Sequence, residues 1–186
     1  MNGLPIAGVK PGKPIPLADA TLQLIDLGHR RISLLAQSAR RLPEPGRLER
    51  TFLDFLESEG ISTSPYNLPD WDDSTEGFYQ ALDALFTSMP PTALIPDEAP
   101  LLIAAQQFLA NRGLRAPEDV SLICTDNDPH FSWCTPAIAH IDWDSRPVIR
   151  RVVNWADNIS RGKKDIRQSF TSAEFIEGGT IGPAKY

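Results

Sequence analysis

Residues 112–126 read Arg112-Gly113-Leu114-Arg115-Ala116-Pro117-Glu118-Asp119-Val120-Ser121-Leu122-Ile123-Cys124-Thr125-Asp126, and the fold turns on how this stretch is read. Gly113 stops the apolar helix of 100–112, because glycine takes the left-handed conformation of a helix end at no steric cost. Pro117-Glu118-Asp119 is turn chemistry. Residues 120–125 form a short, mostly apolar run ahead of a polar loop, which is the pattern of a buried strand. Asp126 closes that strand with a carboxylate. Helix, tight turn and buried strand in this order make half of a βαβ unit, whose strands lie parallel.

Working outward, the same alternation repeats. Upstream, 92–95 is a strand running into Pro96-Asp97-Glu98. Phe78, Leu82, Leu85 and Phe86 have helical spacing, with Ser74 and Glu76 placed to begin the helix and Pro90-Pro91 to end it. Asp70 to Asp73 is polar loop, and 61–68 reads as a short strand. Leu48, Phe52, Phe55 and Leu56 mark another helix, stopped by Gly60. Residues 31–36 are a buried strand, and 18–28 a short helix closed by Gly28. Downstream, 137–141 is a strand, and Val148, Val152, Trp155 and Ile159 mark a helix ending near Gly162. Residues 167–176 alternate as one strand, and 178–183 form a loop tail. The first 17 residues hold four of the 17 prolines and three of the 12 glycines, so 1–17 is expected as an irregular lead-in and 18–186 as the folded unit. Short strands alternating with helices predict an α/β, three-layer, doubly wound parallel sheet.

Composition narrows the function. Of 186 residues 41% are hydrophobic and 23% charged, which is ordinary for a globular chain. No apolar run approaches the roughly 20 residues of a membrane span, and 1–16 lacks the apolar core of a secretory signal. Lys and Arg number 18 against 24 Asp and Glu, for a net charge of -6. Such a chain is a poor nucleic-acid binder by itself, since phosphate contacts need clustered positive charge. Two cysteines, Cys124 and Cys134, make no disulfide framework, so a cytoplasmic location is expected.

In doubly wound sheets ligands bind at the carboxyl ends of the strands. The carboxylates there are Asp97 and Glu98 after one strand and Asp126 after another. Each can accept hydrogen bonds from ligand hydroxyls, as sugars require, or cap the helix or turn that follows. Asp126 and Asp128 also resemble the Asp-x-Asp of haloacid dehalogenase-like phosphohydrolases, a nucleophile followed by a general acid. Their place two-thirds along the chain, with His130 two residues beyond, departs from that pattern. No nucleophile elbow, zinc-protease helix or phosphate loop is present. His29 and His140 read as structural, His130 as a solvated loop residue and Cys124 as an inert core thiol. Arg40-Arg41 and Arg150-Arg151 read as solvated pairs.

Several segments together resemble LacI/GalR-type transcriptional regulators: 24–35, with Gly28-His29-Arg30-Arg31-Ile32; Phe52, Leu56, Gly60 and Ile61; 91–95; 112–126, continued by 135–141; and the closing Gly178-Gly179-Thr180-Ile181-Gly182-Pro183. They span about 18–182. The resemblance implies a periplasmic-binding-protein-like fold of type I, mostly its C-terminal lobe, with the helix at 145–161 belonging to the crossover toward an N-terminal lobe that these residues lack. It also implies a small-molecule effector of the sugar class, bound without chemistry and without cofactor or metal. DNA contact is expected only through a headpiece with no counterpart here. Carried over residue by residue, the ligand contacts are Asp126, Glu98, Arg47 (one residue from the expected position at Leu48) and Trp143. The resemblance further implies a homodimer through Leu101, Phe131 and Trp133. A ligand held by one lobe loses several hydrogen bonds of about 0.5–1.5 kcal/mol each, so millimolar or undetectable sugar binding is expected.

Overall fold

The computed structural model describes residues 8–38 and 45–185. Residues 1–7 of the expected lead-in and the pair Arg40-Arg41 lie outside them. In chain order the elements are β1 (Gly8–Pro11), α1 (Pro14–Asp26), β2 (Ile32–Leu35), α2 (Arg47–Ser58), α3 (Thr75–Ser88), β3 (Ala93–Pro96), α4 (Ala99–Asn111), β4 (Ser121–Cys124), β5 (Ala139–Trp143), α5 (Ser145–Ser160), β6 (Gln168–Thr171) and β7 (Ala173–Ile176).

Five strands form one sheet in the order β2-β3-β4-β5-β7. Its first four strands are parallel and β7 returns antiparallel to β5. β2, β3 and β4 are buried at every position, so period-two alternation sorts apolar residues between two faces. Ile32, Leu34, Ala93, Ile95 and Ile123 join Leu17 and Leu24 of α1 and Phe52 and Leu56 of α2 in one apolar cluster. Leu35, Leu94, Leu122 and Cys124 join Phe78 and Leu82 of α3 and Leu102 and Phe108 of α4 in the other. The expected three-layer architecture is therefore present. The helix ends follow the sequence signals as well. Ser74 accepts from the Gly77 N–H at 3.0 Å as N-cap of α3, and Gly113 closes α4 at φ +71°.

Three expectations are corrected. The lead-in is not irregular throughout: β1 lies within it, and α1 begins at Pro14. Pro14 and Pro16 sit in the first turn of α1, where a missing N–H costs nothing. Residues 61–68 form no strand. Pro65 interrupts them, and the Asn67 side chain turns back to accept from the Ser64 N–H. The segment instead lies along the edge of β2, with Leu34 N donating to Asn67 O at 2.9 Å and Asn67 Nδ2 to Ile32 O at 3.0 Å. The single strand of 167–176 is two strands in different sheets. β6 pairs parallel with β1 in a separate two-stranded sheet, and after Ser172 the chain changes partner to β5.

α5 contacts β1 and is anchored by Asp165, which bridges Arg151 at 2.7 and 2.9 Å and Asn158 at 3.1 Å. The neighbouring Arg167 and Arg151 side chains hold the Asp165 carboxyl well below the usual range. Arg151 is thus an internal tie rather than a solvated cation, whereas Arg150 is exposed. The chain passes between the two sheets at β1–α1, β5–α5 and β6–β7.

Candidate binding cavity

The carboxyl ends of β3 and β4 place Asp97, Thr125 and Asp126 side by side. Asp97 is 8% exposed. It accepts from Thr125 Oγ1 at 2.5 Å and faces Lys13 Nζ at 3.9 Å. The Cys124 thiol beneath them is pushed up to about 12, first by burial; the Asp126 backbone hydrogen bond and Lys13 oppose the shift, while the Asp126 and Asp97 charges add to it. Cys124 is the inert core thiol that the sequence suggests.

A cavity of about 690 Å³ opens at this edge. Lys10, Pro11, Lys13 and Pro14 come from the β1–α1 junction, residues 45–51 and Asp54 from the start of α2, Asp97 from the end of β3 and Phe170 from β6. Within the lining, Arg47 lies over Phe170, its guanidinium carbon 4.6 Å from the centre of the ring, close enough for cation–π attraction. Residues from both sheets thus take part in the lining. A buried carboxylate below, cationic donors around it and one aromatic ring at the rim can orient a polyhydroxylated molecule.

Of the residues singled out from sequence, Arg47 lines this cavity, whereas Glu98, Asp126 and Trp143 are not among its lining residues. Glu98 stands one position beyond Asp97, at the N-cap of α4. Trp143 sits where β5 gives way to α5, its carbonyl accepting from Asn127 Nδ2 at 2.9 Å. Its indole Nε1 is buried without a hydrogen-bond partner. Sequence reasoning missed Lys10, Lys13 and Phe170. The lysines stand in a Pro/Gly-rich stretch that resembles a linker, and Phe170 belongs to a strand whose partner lies about 160 positions away.

The remaining candidates have other duties. His29 is buried, with Nε2 2.9 Å from Gly182 O and 3.1 Å from Ser121 Oγ; burial keeps its pKa low, against the raising effect of the Gly182 bond. His140 Nδ1 lies 2.8 Å from Ile138 O. His130 is exposed and paired with Asp128 at 2.7 Å. The backbone and side chain of His130 hold the Asp128 carboxyl below its usual range, the opposite of what a general acid needs. Among the described residues no three His, Cys, Asp or Glu side chains group to hold a metal, and no helix is long and apolar enough to cross a membrane.

On α4, Ile103 is 62% exposed, and on the loop after β4, Trp133 is 80% exposed. Leu101 is half-buried against the core. Phe131, expected in the same patch, is only 5% exposed; it packs edge-on to His140 and offers no surface to a partner.

Residues 21–181 match the family model of the periplasmic binding protein-like domain. The chain is 27% identical over 123 residues to the ribose operon repressor of Haemophilus influenzae, covering 66% of this chain and 37% of that protein. It is 30% identical over 129 residues to the HTH-type transcriptional repressor PurR of Pasteurella multocida, covering 66% and 36%. The chain thus spans little more than a third of the length of these curated relatives. Among solved structures, a LacI family transcriptional regulator from Enterococcus faecium with bound ribose superposes with a TM-score of 0.80 at 20% identity, covering all of this chain and 69% of that one. A complex of the transcriptional regulator CelR with cellobiose gives 0.79 at 19% identity, covering 94% and 54%.

Proposed function

Because the chain belongs to the periplasmic binding protein-like domain family, we propose that it is the effector-binding part of a LacI/GalR-type transcriptional regulator, holding a sugar-like molecule without chemistry. The observation that carries this reading is the cavity itself, with its buried Asp97 at the carboxyl edge of a parallel sheet. Repressors among the relatives and ribose or cellobiose in the structural neighbours support it. In this reading β1, α5 and β6 are the share of the second lobe that this chain carries. Asp97, Lys13 and Arg47 are the inner ligand contacts, with Asp126, Glu98 and Trp143 around them. Contact with DNA belongs to a headpiece outside these residues, and the setting is cytoplasmic. The phosphohydrolase alternative has no support in the relatives or in the state of Asp128.

The test is a ¹⁵N NMR titration with ribose. Shifts should cluster on the amides of Lys13, Gly46, Arg47 and Asp97 and saturate in the millimolar range. Asp97→Asn keeps an acceptor for Thr125 but removes the charge. Losing a charge-assisted hydrogen bond of about 1.5–3 kcal/mol weakens binding about ten- to a hundredfold. Equal affinity in both proteins would remove Asp97 from the site.

A second copy fits the patch of Leu101, Ile103 and Trp133, since a two-fold interface brings the same surface against itself. Sedimentation should give a dimer that Trp133→Ala or Leu101→Glu converts to monomer. A dimer indifferent to both changes places the contact elsewhere.

A further inference from the structure

Among the described residues four cations, Lys10, Lys13, Arg47 and Arg50, line the cavity against three carboxylates, Glu49, Asp54 and Asp97, in a chain of net charge -6. Two of those carboxylates are already committed. Asp97 is buried and faces Lys13. Glu49 is buried in the first turn of α2, its carboxylate lying against Gly46, at the helix end whose free N–H groups favour negative charge. Among the described lining residues the balance is therefore one positive charge, and Lys10, Arg47 and Arg50 have Asp54 as the carboxylate left to them. Arg50 donates to the Pro45 carbonyl at 3.0 Å. Arg47 lays the face of its guanidinium on Phe170, an arrangement that leaves its in-plane N–H donors available. Among the described residues neither Lys10 nor Arg47 has an ion-pair partner.

Resting on the effector-binding reading above, we propose that the effector is an anionic sugar, a phosphate monoester, with its phosphate held at the cavity mouth by Lys10 and Arg47 and its hydroxyls directed toward Asp97. A phosphate monoester carries a charge of about -1.5 to -2 at neutral pH and three strong acceptor oxygens, enough to engage Lys10 and Arg47 together. The planar guanidinium fork suits phosphate oxygens, and a lysine beside it adds a mobile point charge. A cavity of about 690 Å³ lies within the usual range for small-molecule sites and has room for a monosaccharide phosphate.

Parallel ¹⁵N NMR titrations of the intact chain with ribose 5-phosphate, ribose and inorganic phosphate test this. At low salt, ribose 5-phosphate should bind at least about tenfold more tightly than ribose and shift the amides of Lys10, Lys13 and Arg47. Raising the salt should shrink that advantage, because exposed charges are screened within about 10 Å at 0.1 M. Lys10→Gln and Arg47→Gln, both at exposed positions, should each reduce the affinity for ribose 5-phosphate by about five- to tenfold at low salt, with circular dichroism unchanged. Equal affinities for ribose and ribose 5-phosphate overturn the anionic assignment and leave the effector reading standing. Inorganic phosphate bound as tightly as ribose 5-phosphate reduces the site to an anion contact and overturns the sugar part. No response in the cavity to any of the three overturns the proposal together with the effector reading.

Discussion

Thr180→Val is expected to lower the unfolding free energy by roughly 2–6 kcal/mol, although it keeps the shape of the side chain, because two buried backbone groups lose their partner at about 1–3 kcal/mol each. Thr180 is 1% exposed. Its hydroxyl accepts from Ala139 N at 3.0 Å and donates to Leu122 O at 2.7 Å, while its own carbonyl accepts from Leu122 N at 2.8 Å. The tail therefore fills the gap where β4 and β5 begin. Two residues on, Gly182 makes the same kind of tie through Ser121 Oγ, accepting from and donating to that side chain. Chemical denaturation measures the loss as a lower midpoint at unchanged slope. Thr180→Ser keeps the hydroxyl and gives up one methyl, so it should cost only about 1 kcal/mol. Equal stability of Thr180→Val and wild type would make the tail a surface loop.

That tail shows where a sequence stops being readable. Gly178 to Pro183 contains the residue types of a loop, and loop is its local conformation. Its contribution comes from tertiary bonds to Ser121, Leu122 and Ala139, which no local pattern announces. Gly178 is tied to its place by close approach: a Cβ there would stand 2.3 Å from Ala139 N and 2.6 Å from Ala137 O. The helices and the central strands were legible because their signals are local. Helical spacing in Phe52 and Leu56, the Ser74 cap and the stop at Gly113 each act within a few residues. Pairing of β1 with β6 joins residues about 160 positions apart, so Lys10 and Phe170 had no visible reason to meet. Asp97 and Asp126 were equally legible as strand-end carboxylates. Which of them lines the cavity depends on the position of Lys13, on a helix that begins earlier than the apolar pattern suggests. Arg47 was found because it belongs to a strongly patterned helix, one residue from the position at which the family resemblance expects a cation.

Phe52→Ala is expected to cost about 3–5 kcal/mol, the range for truncating a buried phenylalanine in a core that relaxes only partly. Phe52 is 1% exposed and lies with Leu56 in the cluster that α1, α2 and β2 build on one face of the sheet. Phe55, half-buried at the edge of the same cluster, has solvent to refill the space it leaves. Phe55→Ala is therefore expected to cost about half as much, since less apolar area returns to water. The larger loss also reaches the cavity. Phe52 and Leu56 are the buried apolar residues that seat α2, and the first turn of that helix carries Arg47 and Arg50. A helix less firmly seated holds those donors less precisely, so Phe52→Ala should weaken ribose 5-phosphate binding under conditions where the variant is still fully folded. Thermal unfolding and the NMR titration separate the two effects. Lower stability with unchanged affinity would mean that α2 is positioned by the Arg47–Phe170 contact rather than by the core beneath it.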